Sequence, residues 1–349
     1  MTPLIETTTP TRPARRPTAP DGFVIVDKPT GWTSHDVVGR MRHLAGTRKV
    51  GHAGTLDPMA TGVLVIGVGK ATKLLTYVVG AEKQYDATIR LGIGTTTDDA
   101  EGEVTATPGY PSTTASASEG GTQDLALQAA LASLTGDIMQ VPTAVSAIKV
   151  DGKRAYARVR AGEQVELPAR PVTVNQFDVL AARTTLMPST TSSGVSDNES
   201  PEPGETIPVL DLDVTVTVSS GTYVRALARD LGAALGTAGH LTALRRTRVG
   251  GNTLADAHTL EQLTAQADAA GVLATIPLAE AAAAHLPSRE LTAAEARELS
   301  FGRWIAPTGT AEPVAALTAD GTLIAVLTDT RRGEETLAKP TLVLTPANG

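Results

Sequence analysis

A chain of 349 residues can bury a sizeable core and make two domains, or one large domain with appendages. It has no Cys, which excludes disulfides and thiolate metal sites, and its 6 His show no zinc-ligand spacing, so the chemistry falls to carboxylates, Tyr, His, Lys or Arg. A net charge of −7 argues as a sum against a nucleic-acid partner, and no apolar run reaches the roughly 20 residues that span a bilayer.

Residues 1–20, MTPLIETTTPTRPARRPTAP, hold no signal-peptide core and read as a disordered tail, so a cytoplasmic protein is expected. Phe23–Val26 predicts a short strand ending at the turn Asp27-Lys28-Pro29-Thr30-Gly31. Lys28 follows that strand directly, placed either at the rim of a site or on the surface. Ser34 is expected to cap a helix to about Leu44, closed by Gly46.

Gly51 to Gly62 reads GHAGTLDPMATG, with one acid, Asp57, among small residues. Gly51, Gly54 and Gly62 open backbone angles or close approaches barred to other residues, and Pro58 restrains Asp57. The stretch predicts a loop entering a buried strand, Val63–Val68. Such a loop can aim a single carboxylate; taken alone, the pattern equally describes a tight turn in which Asp57 bonds nearby amides.

Lys70–Tyr77 predicts a short helix and Gln84–Leu91 a strand with Tyr85 beside its start. Residues 107–122 are Pro, Ser, Thr, Ala and Gly with hardly any apolar residue and read as a mobile loop, followed by a helix from about Gln123 to Leu134 with Leu125, Leu127, Leu131 and Leu134 on its apolar side. Val145–Val150 predicts a strand, Asp151-Gly152 a turn and Lys153–Arg160 a basic helix. Pro171–Leu180 is a strand, and Arg183–Pro208 is a low-complexity insertion.

Val209–Val218 alternates almost without fault and is the clearest strand. It delivers Gly221-Thr222-Tyr223-Val224-Arg225 to the start of an Ala-rich helix ending near Leu235, a handover where function often sits. His240–Val249 predicts another strand; Leu260–Ala267 and Pro277–Ala284 predict helices. From about His285 a helix, Ala293–Leu299, and short β segments at Leu323–Leu327 and Leu342–Leu344 suggest a small separate domain. Strands and helices interleave without a dinucleotide fingerprint or phosphate loop, so the class is α+β.

The charge is unevenly spread. Asp197–Asp213 carries acids with no intervening base, whereas Lys149, Lys153, Arg154, Arg158 and Arg160 cluster, as do Arg225, Arg229, Arg245, Arg246 and Arg248. The pattern suggests a basic face on an acidic protein.

Several blocks occur in order: DKPTGWTSHDVV, GHAGTLDPMATG, GVLVIGVGKATKLL, Lys83-Gln84-Tyr85 with Asp98-Asp99-Ala100-Glu101-Gly102, VPTAVSAIKVDGKRAYARVRAG, and GTYVRALARDLG with HLTALRRTRVG. Together they resemble the TruB family of pseudouridine synthases, which isomerise uridine 55 in the T loop of transfer RNA. The resemblance covers roughly residues 21–285, apart from insertions at about 107–122 and 183–208. It implies a mixed, largely antiparallel central sheet flanked by helices, the pseudouridine synthase fold, followed over 286–349 by a small β-rich PUA-like RNA-binding domain.

The resemblance assigns the catalytic carboxylate to Asp57. Tyr85 should stack on the flipped base, Tyr223 and Leu244 should line its pocket, and His52 should take the flipped nucleotide's place in the RNA stack. Arg225 should pair with Asp57, Asp99 should support that network, and Lys28 is carried as a supporting residue. Lys149, Lys153, Arg154, Arg245 and Arg246 are expected against the RNA backbone. The implied substrate is the transfer-RNA T arm, with no cofactor, metal, membrane or required protein partner, and a monomer. Ala53 and Thr96 depart from the commoner Thr and Asp of the family.

Three other readings compete: a catalytic subunit of a guide-RNA particle, an RNA-binding chaperone, and a carboxylate hydrolase acting on sugars. The short basic tail disfavours the first. Intact Asp57, Tyr85 and Arg225 disfavour the second as a sole role, and aromatic content of 3% disfavours the third.

Overall fold

The computed structural model describes residues 16–110, 124–143, 149–150, 153–154, 167–189 and 206–347. The first strands are β1 (Gly22–Lys28), β2 (Val50–Ala53), β3 (Thr61–Val68), β4 (Lys83–Leu91), β5 (Gly94–Thr95) and β6 (Val104–Ala106). Next come β7 (Gly136–Gln140), β8 (Lys149–Val150), β9 (Lys153–Arg154), β10 (Arg170–Pro188), β11 (Thr206–Val218), β12 (Gly239–Val249), β13 (Asn252–Thr253) and β14 (Ile276–Pro277). The last are β15 (Ser288–Glu290), β16 (Val314–Leu317), β17 (Leu323–Arg332) and β18 (Glu335–Val343). The helices are α1 (Ser34–Leu44), α2 (Leu75–Val79), α3 (Leu125–Ser133), α4 (Val224–Ala234), α5 (Leu260–Ala270), α6 (Leu278–Ala283) and α7 (Ala293–Ser300).

A ten-stranded sheet runs β14-β1-β3-β12-β4-β11-β10-β7, with β2 added on β3 and β13 on β12. Its pairs are antiparallel except β3 with β12, which run parallel where Arg245 meets Thr61 and Arg246 meets Gly62. The α+β class and mixed central sheet expected from the sequence are found. β3 is apolar throughout because both its faces are covered, as buried central strands require. Leu64 and Ile66 join Val24, Val26 and the α1 residues Val37, Met41 and Leu44 on one side. Val63 and Val65 join Phe23, Ile25, Leu74 and Ala281 on the other.

A second sheet, β15-β16-β17-β18, forms the C-terminal unit. Leu291, Leu299, Ile305 and Leu327 make its own core. Ala315, Leu323, Val326 and Leu344 instead pack into the cluster on the outer face of the central sheet. The C-terminal unit is thus welded to the main sheet through shared apolar burial.

Gly62 makes the β3–β12 contact possible. Its φ is +98°, and a Cβ there would lie 2.2 Å from the Arg246 carbonyl oxygen. Gly62→Ala is expected to cost about 3 kcal/mol or more, combining a left-handed non-Gly residue with a backbone clash. Urea unfolding of the variant beside wild type checks this.

Several local expectations change. The cap of α1 is Thr33, which forms a capping box with Asp36, so Ser34 sits inside the first turn with its hydroxyl released for another task. The stretch expected as one helix at Lys70–Tyr77 splits into a 3₁₀ turn, Gly69–Lys73, and α2. On α3, Leu127 is buried but Leu125 is 79% exposed, because the helix offers only part of that side to the core. Gly51 lies in β2, where closeness to Leu75 and not a left-handed turn constrains it.

The insertion expected from Arg183 to Pro208 begins and ends as strand: β10 continues to Pro188 and β11 starts at Thr206, paired residue for residue. Residues 190–205 lie outside the described residues, as do 1–15 of the expected tail and most of the basic helix expected over 153–160. Of the loop expected at 107–122, residues 107–110 are described, and Tyr110 N–H donates to Pro208 O at 2.6 Å. Lys149 and Lys153 fall on the short hairpin of β8 with β9.

Candidate active site

Asp57 lies in the loop between β2 and β3, in front of the sheet. Its loop is held from beneath by the preceding turn. Ser34 Oγ donates to Leu56 O at 3.2 Å and accepts from Leu56 N–H at 2.9 Å. Gly31 N–H donates to Pro58 O at 2.9 Å.

Lys28 completes this support. It is wholly buried, and its Nζ donates to Pro29 O, Trp32 O and Pro58 O at 2.9, 2.6 and 3.2 Å. Neither rim nor surface describes it: the lysine is an internal peg that ties the turn to the loop. Burial lowers its pKa to about 8, with Asp57 the first of the charges opposing that fall. From the other side, buried Arg246 donates from Nε to Val63 O at 2.7 Å and from Nη2 to Gly54 O at 2.8 Å. At 1% exposure Arg246 cannot meet an RNA phosphate, so its expected backbone role is replaced by holding the loop. Arg245, on the opposite face of β12, pairs with Asp27 at 2.7 Å.

Lys28→Met should take the ammonium donor from three carbonyls, of which Pro58 O keeps the Gly31 N–H, and cost about 2 kcal/mol or more. The pH dependence follows from its lowered pKa. Between about pH 8 and the ordinary lysine value of 10.5, the unfolded chain keeps a proton that the folded chain has shed. Stability from this group therefore rises with pH across that window. Wild type should gain on Lys28→Met there, measured by urea unfolding below and above pH 8.

The handover from β11 to α4 brings in the cation. Arg225 Nε lies 3.0 Å from Asp57 Oδ2, and its Nη1 lies 3.2 Å from Asp99 Oδ2. Nη1 also donates to Thr97 O at 3.0 Å. Arg225 and Asp99 side chains are 7% and 3% exposed, whereas Asp57 is 38% exposed toward the cleft. Burial pushes the Asp57 carboxyl above its ordinary value, and Arg225 pulls against that rise. The acidic turn is itself fixed, since Asp99 Oδ1 accepts from Glu101 N–H at 3.0 Å and Leu241 N–H donates to Asp98 O at 3.0 Å.

These groups face a cavity of about 270 Å³ lined by Asp57, Tyr85, Tyr223, Arg225, Leu244 and Lys83 among others. Among the described residues of that lining Asp57 is the sole acid. Tyr85 and Lys83 reach it from one face of β4 by strand alternation. Tyr223 is held by its backbone: buried Gln140 accepts from Tyr223 N–H at 2.8 Å and donates to Tyr223 O at 3.1 Å.

His52 stands outside the cavity lining. Its ring meets His35 edge-on at 5.6 Å between centroids, and its Nδ1 is buried without a hydrogen-bond partner. Burial, with His35 and Arg246 nearby, lowers its pKa. The side chains of Lys149, Lys153 and Arg154 fall outside the described positions.

Lys83 and Gln140 are not among the site residues expected from the sequence. Lys83 is two residues from Tyr85 on a strand, a spacing that puts both on one face; Gln140 carries no comparable signal. Lys83 Nζ donates to Val79 O and Ala81 O at 3.0 and 2.7 Å, and burial lowers its pKa to about 8. Among the described residues no His, Asp and Glu grouping suits a metal ion, and no described helix is long and apolar enough to cross a membrane.

The architecture matches that of solved structures. The chain superposes on a chain of a Cbf5-Nop10-Gar1 complex with a TM-score of 0.64 at 24% identity, covering 94% of this chain and 86% of that one. It also matches a chain of an H/ACA RNP bound to a substrate RNA containing 2′-deoxyuridine, with a TM-score of 0.62 at 23% identity, covering 93% and 85%. At that identity the likeness is one of fold.

Sequence comparison narrows this further. The model for the TruB family pseudouridylate synthase N-terminal domain matches residues 42–224. The tRNA pseudouridylate synthase B C-terminal domain matches 225–276, and tRNA Pseudouridine synthase II, C terminal, matches 286–344. The tRNA pseudouridine synthase B of Arthrobacter sp. (strain FB24) is 56% identical over 336 residues, covering 94% of this chain and 97% of its own. That of Thermobifida fusca (strain YX) is 53% identical over 313 residues, covering 90% and 96%. The chain belongs to the TruB family of pseudouridylate synthases.

Proposed function

We propose that this chain isomerises uridine to pseudouridine at position 55 in the T loop of transfer RNA, with Asp57 acting at the sugar of a flipped nucleotide. The observation that carries the reading is the sole carboxylate of the cavity, ion-paired to buried Arg225 and faced by Tyr85 and Leu244. In the reaction the N1–C1′ bond breaks, the uracil turns, a C5–C1′ bond forms, the C5 hydrogen leaves as a proton, and N1 takes up a proton. There is no redox change and no energy input, so the reading calls for no cofactor. Asp57 serves either as nucleophile at C1′ or as base at C2′. Tyr85 stacks on the base, Tyr223 and Leu244 wall it, and Arg225, itself held by Asp99, aims Asp57 and favours its ionised form. His52, outside the cavity, fills the gap that the flipped nucleotide leaves in the RNA stack.

The basic hairpin of Lys149, Lys153 and Arg154, with Arg245, serves the RNA backbone. The C-terminal unit acts as a PUA-like RNA-binding module, a role supported by Trp304, over which Arg332 and Lys339 lie at 5.4 and 5.8 Å from the ring centroid. The same reading takes the chain to act as a monomer with no required protein partner. Tritium release from a T-arm stem-loop labelled at C5 of its uridines tests the reading. Release at a single loop uridine is expected; binding without release would overturn the enzymatic reading in favour of a chaperone.

A further inference from the structure

Part of the cavity wall has no role in the proposed chemistry. Lys83 lines it together with Gly54, Val79, Ser220, Gly221 and Thr222. Three segments of the chain meet there: the Asp57 loop, the end of α2, and the handover that carries Tyr223 and Arg225. A helix of five residues leaves the carbonyls of its last turn without donors of its own, so donors from elsewhere must reach them. Val79 O takes two such bonds, from Lys83 Nζ at 3.0 Å and from Ser220 Oγ at 2.7 Å. Lys83 Nζ also donates to Ala81 O at 2.7 Å.

The same lysine abuts the Asp57 loop. A Cβ on Gly54, whose φ is +71°, would lie 3.3 Å from Lys83 Cε and 3.3 Å from Arg246 Nη1. Lys83 therefore touches one segment directly and reaches the handover through the carbonyl it shares with Ser220. The handover passes that hold onward, because Thr222 Oγ1 donates to Ser219 O at 3.0 Å and closes the turn just before Tyr223. Charge does not explain why a lysine is buried here. Arg246 opposes its ammonium, His285 feels it from the start of the C-terminal unit, and neighbouring Glu82 is committed to Arg248 at 2.6 Å. What the ammonium gains is the pair of carbonyls at the end of α2.

We propose that Lys83 is a positioning residue for the isomerisation: through Val79 O and the Ser220 hydroxyl it fixes the turn that aims Arg225 at Asp57. The inference rests on the isomerase reading. It gives Lys83 an effect on turnover that runs through Arg225, and it makes the exposed hydroxyl of Ser220 the link between the two.

Lys83→Met, Ser220→Ala and Ser220→Thr are compared with wild type by tritium release from the labelled T-arm stem-loop and by amide hydrogen exchange of the protein without RNA. Lys83→Met should lower kcat about tenfold with KM little changed, well within the hundredfold that a misplacement of about 1 Å can cost. Ser220→Ala should lower kcat about threefold, and Ser220→Thr, which keeps the hydroxyl, should recover it. Because both residues act through one carbonyl, the double variant of Lys83→Met with Ser220→Ala should lose less than the product of the two losses. A looser Arg225 favours the Asp57 carboxylate less, so the acid limb of kcat/KM should move to higher pH in both variants, a shift that lost stability alone does not produce. Exchange over residues 221–225 should quicken in both. If wild type releases tritium while both variants keep its acid limb and its exchange over that turn, the positioning role is wrong and the isomerase reading stands. Quickened exchange in the variants with no release from wild type would strike the isomerase reading and leave the clamp in place. Ser220 is exposed, so Ser220→Ala decides the question even where Lys83→Met fails to fold.

Discussion

Asp57→Asn is expected to bind the T-arm stem-loop with near wild-type affinity and to release tritium at least about 10⁴-fold more slowly, the scale on which enzymes lose a group that acts covalently or as an essential base. An amide can neither attack C1′ nor take a proton from C2′. It nearly matches the carboxylate in size, so the loop held by Lys28, Ser34 and Arg246 should keep its shape. Binding measured by filter retention, beside turnover measured by tritium, separates the two effects. Residual turnover within about tenfold of wild type would remove Asp57 from the chemistry.

Arg225→Met should be the most damaging change outside Asp57, through two separable effects. The guanidinium lies between Asp57 and Asp99 and is nearly buried, as is Asp99. Removing it strands two carboxylates near each other, which should cost about 3 kcal/mol of stability. It also withdraws the main influence that lowers the Asp57 pKa, so that pKa should rise above its already raised wild-type position. Activity requires the ionised carboxylate and is lost as pH falls through its pKa. The acid limb of kcat/KM should therefore sit at higher pH in the variant. Adding Asp99→Asn should recover much of the lost stability without restoring turnover. If instead the double variant regained turnover, Arg225 would act mainly by neutralising Asp99.

Much of the site can be read in the chain because its parts sit at junctions with local signatures. Asp57 lies in a Gly-rich loop running into an apolar strand, and Arg225 and Tyr223 lie where an alternating strand gives way to an Ala-rich helix. Lys28 and Lys83 are harder, since composition treats a lysine as a surface residue. Only the sheet packed around them buries their ammonium groups and supplies backbone carbonyls as partners. Arg246 was readable in part: neighbouring residues on a strand face opposite ways, so Arg245 and Arg246 cannot both face a phosphate. Thr33 was readable too, because Asp36 three residues on completes a capping box that Ser34 does not. The long arms of β10 and β11 were hidden because Ser, Thr and Pro composition masks pairing that a partner strand imposes.

The parallel pairing of β3 with β12 also bears on how the enzyme comes into being. β1, β2 and β3 can pair among themselves as soon as they leave the ribosome. Gly54 and Val63, however, wait for the guanidinium of Arg246, and Asp57 waits for Arg225, both encoded far downstream. Contacts between such distant parts of a chain form late, after the entropy of closing the intervening loop has been overcome. A nascent or truncated chain ending before β12 would carry the whole Asp57 motif and yet lack the hand that shapes it. Competence to act on RNA is thus acquired only once synthesis has passed Arg246, which keeps half-made chains catalytically silent.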